Sequence, residues 1–240
     1  MMSDAELDRL TEVLEAQWER LRAWVGELDE DAQQHPSVLA GWSVEELVAH
    51  LGRAMVTLAT LETAPEGTVP LTLGEYVSHY PERAADIAET TRRVAAEIRG
   101  DRLGSVDRMV RDAFDRLAEV RRTATEPDPV VQARRGPIRL SEMVVSRLLE
   151  LTVHADDLAR STSRPGPSPV LPDAARVVAD ALLEVVVDRG GWDLEIVDDV
   201  AWIRLACGRG PYSSPALAGA LRARHTSEGV PDLERMMPLL

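Results

Sequence analysis

Two side chains in the segment 141–160 are out of keeping with their neighbours. Met143, Val144, Val145, Leu148, Leu149, Leu151, Val153 and Leu158 surround this stretch with apolar groups on nearly every side, the pattern of a buried helix. Glu150 and His154 nevertheless sit inside it, four residues apart and so on one face. A lone buried carboxylate costs several kcal/mol unless it is paired, protonated or bound to a cation. The histidine one turn later supplies a second ligand atom for one metal ion. His50 offers a third, beside Leu47, Leu51 and Ala54 at the edge of the apolar stripe of another helix. If the two helices are neighbours in a bundle, two histidines and one glutamate converge. Such a set holds a divalent ion, zinc above all, and leaves a fourth position open, as catalytic zinc sites do. A plainer reading stands beside it, with His50 a hydrogen-bonded core histidine and Glu150 paired with Arg147 or His154.

Asp157 lies one turn beyond His154 and could accept its second ring N–H, which would fix the tautomer of a metal-binding imidazole. The alternative is a surface ion pair with Arg160, three residues after Asp157 and four after Asp156. Two acids near a helix C-terminus oppose the helix dipole, which favours a special role. The remaining candidates are weaker. His35 precedes Pro36 in a polar loop, and His79 and His225 stand beside turn-like sequence, so all three read as solvated. Cys207 follows alternating apolar residues and reads as a buried structural thiol. The chain has no glycine-rich phosphate loop, nucleophile elbow or H-E-x-x-H.

The elements that must position these residues are mostly helical. In 4–27, Leu7, Leu10, Leu14, Trp18, Leu21 and Val25 recur at helical spacing. Ser43 and Glu46 form a capping box that starts a helix running past Leu58, and Thr72 with Glu75 offers another box for a short segment. Helical patterns resume at 82–99 and 105–122. A loop over 123–137, with Pro127, Pro129 and Pro137, leads to the helix at 141–160. Residues 161–172 carry four prolines and read as a linker. Beyond them, 173–189 is helical, 201–208 (AWIRLACG) is the best strand candidate, and a short helix around 215–223 precedes the tail. The expected architecture is mainly α: an up-and-down helical bundle over 1–163, then a small α/β domain over 172–240.

Composition agrees. Aromatics make up only 4% of the 240 residues, so the core must be built from Leu, Val and Ala, which suits packed helices. The formal charge of −14 repels a phosphate backbone or an anionic membrane surface, and Arg121, Arg122, Arg134 and Arg135 form the only modest basic clusters. The single cysteine excludes an internal disulfide and a cysteine-rich zinc knuckle. The charged first helix is unlike a secretory signal, and no apolar run approaches the roughly 18 residues of a membrane span. A cytoplasmic protein with no nucleic-acid or membrane partner is expected.

GWSVEELVAHLG (41–52), followed about a hundred residues later by RRGPIRLSEMVVSRLLELTVHADDLARS (134–161), resembles the mycothiol-dependent maleylpyruvate isomerase family. That resemblance implies a DinB-like four-helix bundle whose metal triad, a His in W-x-x-x-x-L-x-x-H and the Glu and His of E-x-x-x-H, falls on His50, Glu150 and His154. It covers about two thirds of the chain. WIRLACGR (202–209) and the ending SEGVPDLERMMPLL also resemble the tail of members with a sterol-carrier-like C-terminal domain. Only about a dozen residues separate the 173–189 helix from Trp202, so that domain is expected to be shortened, which puts its ligand pocket and any substrate contact by Arg222 or Arg224 in question.

The resemblance also implies a chemistry. The thiol of mycothiol would be the nucleophile, since a cation stabilises a thiolate. Zn²⁺, one carboxylate and one thiolate sum to zero charge beside neutral histidines. An isomerase would add the thiolate to a cis double bond conjugated with a carbonyl, allow rotation and release it; a transferase would leave it attached. The expected partners are this thiol and a small electrophile, in a monomer or homodimer. The rival reading is a non-catalytic metal or small-ligand binding protein that retains the bundle, and a third is a structural helical protein with an internally paired triad.

Overall fold

Ser3 and Glu6 close a reciprocal capping box at the start of α1 (Asp4–Val25), and Ser43 and Glu46 do the same for α3 (Val44–Ala59). The second box begins the helix one residue after the predicted cap, as an N-cap should. The short α2 (Glu30–Gln34) lies between them. The computed structural model describes residues 2–162, 164, 166–225 and 229–239. Met1, Ser163 and Leu240, which bound the predicted segments, and Ser227 and Glu228 of the tail lie outside the described residues.

Thr72 and Glu75 cap α4 (Leu73–Ser78), and α5 (Ala84–Glu97) and α6 (Arg102–Thr123) follow. The most apolar helix, α7, spans Leu140–Ser161. Helices α1, α3, α6 and α7 make the up-and-down bundle, with α3 packed on α6 and α7, and α1 on α7. Close approach of α3 to α6 depends on Gly52, where an added Cβ would lie 2.9 Å from Met109 Sδ and 3.3 Å from Val106 Cα. On its other side α3 carries α5.

Two expectations are corrected. The predicted loop over 123–137 contains a hairpin, β2 (Val130–Ala133) with β3 (Gly136–Arg139), paired antiparallel from Val130↔Arg139 to Ala133↔Gly136, with β1 (Glu62–Thr63) added at its edge. The prolines do not prevent it, because Pro127 and Pro129 precede the ladder and Pro137 sits on β3, the edge strand of the three-stranded sheet, where its carbonyl accepts from Leu71 N–H. Asp128 then caps α7 from outside the helix, accepting from both the N–H and the hydroxyl of Ser141 at 2.8 Å.

The second correction concerns 201–208. It is not a strand but the helix α9 (Asp199–Ala206), capped by Asp198. Its buried residues Trp202, Ile203, Leu205 and Ala206 fall at helical spacing, and the run is too short for periodicity alone to separate the two states. The strands of this part lie on either side: β4 (Leu194–Ile196) pairs with β5 (Leu221–Ala223). The helices α8 (Pro172–Gly190) and α10 (Ser214–Ala220) complete it. α8 packs on α7 and α9 on α8, so this small α/β part lies against the bundle and their buried apolar side chains form one contiguous cluster. Among the described residues no helix is long and apolar enough to cross a membrane.

Candidate metal centre

α3 and α7 bring His50, Glu150 and His154 together. One ligand atom from each lies within 4.8 Å of the others, and all three residues are buried. His50 Nε2 is 3.2 Å and His154 Nε2 3.4 Å from the same oxygen, Glu150 Oε2. The two rings meet nearly at right angles, with centroids 4.8 Å apart.

The outer ring nitrogens are also held. His154 Nδ1 lies 3.1 Å from Asp157 Oδ2, and a carboxylate can only accept, so this nitrogen carries a proton. His50 Nδ1 lies 3.3 Å from the hydroxyl of Thr91 on α5, which can accept in the same way. With both Nδ1 atoms protonated, two Nε2 lone pairs and a carboxylate oxygen would face one another, and in the absence of a cation a proton on Nε2, donated to Glu150 Oε2, takes its place. Three electron-rich atoms in a buried space repel unless a cation lies among them. The donor set, two imidazoles and a carboxylate, fits a divalent ion of the zinc type.

The electrostatics follow the same logic. Burial pushes His50 down to about 4, against the pull of its Glu150 hydrogen bond. At His154 burial acts in the same sense, but the hydrogen bonds with Asp157 and Glu150 outweigh it and raise the ring. Burial would raise Glu150, yet its bonds with His154 and His50 and the nearby Arg147 charge hold the carboxyl well below the usual range. Arg147 Nη2 is 3.8 Å from Glu150 Oε1, so the ion pair anticipated in the plainer reading is present too, on the oxygen that the histidines leave free. Arg147 is itself anchored, donating to Ala54 O at 2.8 Å and to Tyr80 Oη at 2.9 Å.

Asp157 is fully buried and is not the solvated partner of Arg160, which lies 4.0 Å away. Its second partner is Arg209, from the turn after α9, whose Nε donates to both carboxylate oxygens at 3.1 and 3.2 Å. The neighbouring Asp156 receives a two-pronged contact from Arg204 of α9, at 2.7 and 2.8 Å. The C-terminal part thus reaches the triad through Arg209, Asp157 and His154. Thr91 and Arg209 carried no signal in the sequence, because their role depends on contacts across 41 and 52 residues.

The triad opens onto a cleft of about 540 Å³. Leu39, Trp42, Tyr80, Ile87 and Leu149 give it apolar walls, and Arg209 stands on the C-terminal side. Trp42 meets the His50 ring edge-on at 5.4 Å. The other histidines lie elsewhere and are exposed, His35 near Asp31, His79 near Glu82 and His225 near Asp193. Arg222 and Arg224 pair with Glu195 and Asp193 along the β4–β5 strand pair and do not line the cleft.

The model of the mycothiol maleylpyruvate isomerase N-terminal domain family matches residues 14–159, which include all three triad residues. The chain belongs to this family. Its fold is similar to the crystal structure of the mycothiol-dependent maleylpyruvate isomerase, at 15% identity and a TM-score of 0.54, over 88% of this chain and 93% of that one. A variant of that enzyme with one histidine replaced by alanine matches at 14% identity and a TM-score of 0.53, with the same shares covered. No curated protein matches the sequence.

Proposed function

We propose that this family member is a metal-dependent enzyme that uses a low-molecular-weight thiol, mycothiol, to isomerise or to modify a small electrophile. The supporting observation is the convergence of His50, Glu150 and His154 at the floor of an open cleft, with their outer nitrogens engaged by Thr91 and Asp157. A zinc ion held by these three would favour a thiol's ionised form at neutral pH.

The chain's own residues supply the rest. Asp157 and Thr91 fix the orientation of the two imidazoles, with Nδ1 turned outward and Nε2 inward. Glu150 contributes the one negative charge that lets a cationic site remain buried. Trp42, Leu39 and Leu149 give the inner cleft apolar walls, which strengthens electrostatic interactions beside them. The open side leaves room for the sugar portion of a bulky thiol, at the junction between the bundle (1–163 in this reading) and the C-terminal part (172–240), where ligands commonly bind.

In the isomerase branch, the thiolate forms a C–S bond to a cis double bond conjugated with a carbonyl, and the π electrons move to the carbonyl oxygen. The former double bond rotates, and the electrons return as the C–S bond breaks, giving the trans product and free thiolate. In the transferase branch the C–S bond stays and the adjacent carbon takes a proton. The structural relatives are named for maleylpyruvate and mycothiol, which supports the first branch.

The test is elemental analysis of protein purified without added metal, followed by an assay of cis–trans isomerisation and thiol conjugation with and without mycothiol. About one metal per chain and turnover that needs the thiol and is lost in His50→Ala are expected. Metal without thiol-dependent turnover would make the chain a binding protein that kept the bundle, and protein that never takes up zinc would leave the triad internally paired.

A further inference from the structure

The two-residue turn of the β2–β3 hairpin consists of Arg134 and Arg135, which take no part in the metal centre. Arg135 lies over the rings of Tyr80 and Tyr76, with its guanidinium carbon 4.1 and 5.2 Å from their centres. Arg53, on α3 one turn beyond His50, is half-buried. Its Nε is withdrawn from water with no hydrogen-bond partner. Burial lowers the Arg53 pKa, Glu150 pulls it the other way, and the charges of Arg134, Arg135 and Arg147 lower it further. Glu150 is already engaged by both histidines and Arg147.

This is an odd place for uncompensated positive charge. The chain has 41 acidic against 27 basic residues, and other arginines of the bundle, Arg102, Arg111, Arg116 and Arg147, meet a carboxylate or a carbonyl. Among the described residues Arg53, Arg134 and Arg135 have no carboxylate within ion-pairing distance. A desolvated guanidinium donor with no acceptor is costly, so the arrangement calls for an anion.

Room for one lies alongside. A groove of about 580 Å³ runs between α3, α5, α6 and the hairpin, with Arg53 and Arg134 in its lining. Thr57, Thr90 and Gln132 add hydroxyl and amide groups, and Val94 part of an apolar wall. Glu62 also lines it but reaches neither arginine. The groove is separate from the cleft over the triad, and the two share no lining residue.

We propose that this groove is a binding site for a small-molecule oxyanion, a carboxylate or a phosphate, held by the forked donors of Arg53 and Arg134 with the body of the molecule along the threonine and valine wall. Planar guanidinium donors match both anions. A polyanion is disfavoured, because the −14 field of the whole chain would repel it while leaving a single anion free to enter a local basic site.

Isothermal titration of the full chain with inorganic phosphate, and separately with succinate, tests it at low ionic strength, where screening is weak. Saturable binding of at least one probe is expected, weakened about tenfold or more by Arg53→Gln and by Arg134→Gln, as loss of a charge-assisted hydrogen bond implies. Arg9→Gln, at an exposed arginine of α1, should leave it unchanged. Preference for phosphate would mark a phosphorylated ligand, and preference for succinate a carboxylic acid. If Arg53→Gln does not fold, Arg134→Gln, at the exposed hairpin tip, decides alone. No saturable binding of either probe, or a loss no greater than in Arg9→Gln, would overturn the proposal.

Discussion

Asp157 is bonded on one side to His154 and on the other to Arg209, so its carboxylate transmits the position of a C-terminal residue to a triad histidine. That geometry sorts the residues by expected effect. If the proposed metal site holds, replacing His50, Glu150 or His154 with alanine should strip the metal. Asp157→Ala should retain it with an affinity about 10–100-fold weaker, since it leaves the ring in place but free to turn. Arg209→Ala should weaken it less, and Arg204→Ala, whose partner is Asp156, should not change it. Chelator competition measures all of these, and equal loss across the series would show that ligands and supports have been confused. At this scale the convergence of the candidate triad was legible. Glu150 and His154 stood out because charged groups in an all-round apolar helix need an explanation, and His50 because it lay at the edge of another helix's apolar stripe. Thr91 and Arg209 were illegible, because neither interrupts a local pattern and each acts only through a distant partner.

The elements that carry the triad owe their placement to local chemistry that a substitution can probe. Ser43 accepts from the Glu46 N–H at 3.2 Å and starts α3 seven residues before His50. Ser43→Ala should cost about 1 kcal/mol in chemical denaturation through the lost cap, with the metal ligands intact. Gly52→Ala should cost more, about 1–3 kcal/mol, because its Cβ meets Val106 backbone, which cannot swing aside. The same melts would show whether the α3–α6 contact is as tight as the geometry indicates, and a neutral Gly52→Ala would deny it. The long helices were readable because caps and 3.6-residue periodicity agreed over many turns. The short pieces were not: α9 and the hairpin strands span only four to eight residues each, and over that length tertiary contacts decide. Trp202 settles α9 by donating its indole N–H to Ala179 O of α8, at 3.1 Å.

On the scale of the whole molecule, the one protein group that could compete with an external thiol is the chain's own. Cys207 caps α9, two residues from Arg209 and hence close to the cleft wall, so its position alone does not rule it out as a nucleophile. Its environment argues against it. The side chain is buried in the cluster that joins the C-terminal part to the bundle, and burial pushes the thiol up to about 12. Only the thiolate attacks, so a thiol held this far in its neutral form is a poor nucleophile at pH 8. The folded chain should therefore resist alkylation by iodoacetamide at pH 8 and react fully once unfolded in denaturant. Cys207→Ala should turn over as the parent does, with the same dependence on added mycothiol. Turnover that persists without added thiol and disappears in Cys207→Ala would assign the nucleophile to the protein and dismiss the external thiol, while leaving the fold and the convergence of His50, Glu150 and His154 as they are.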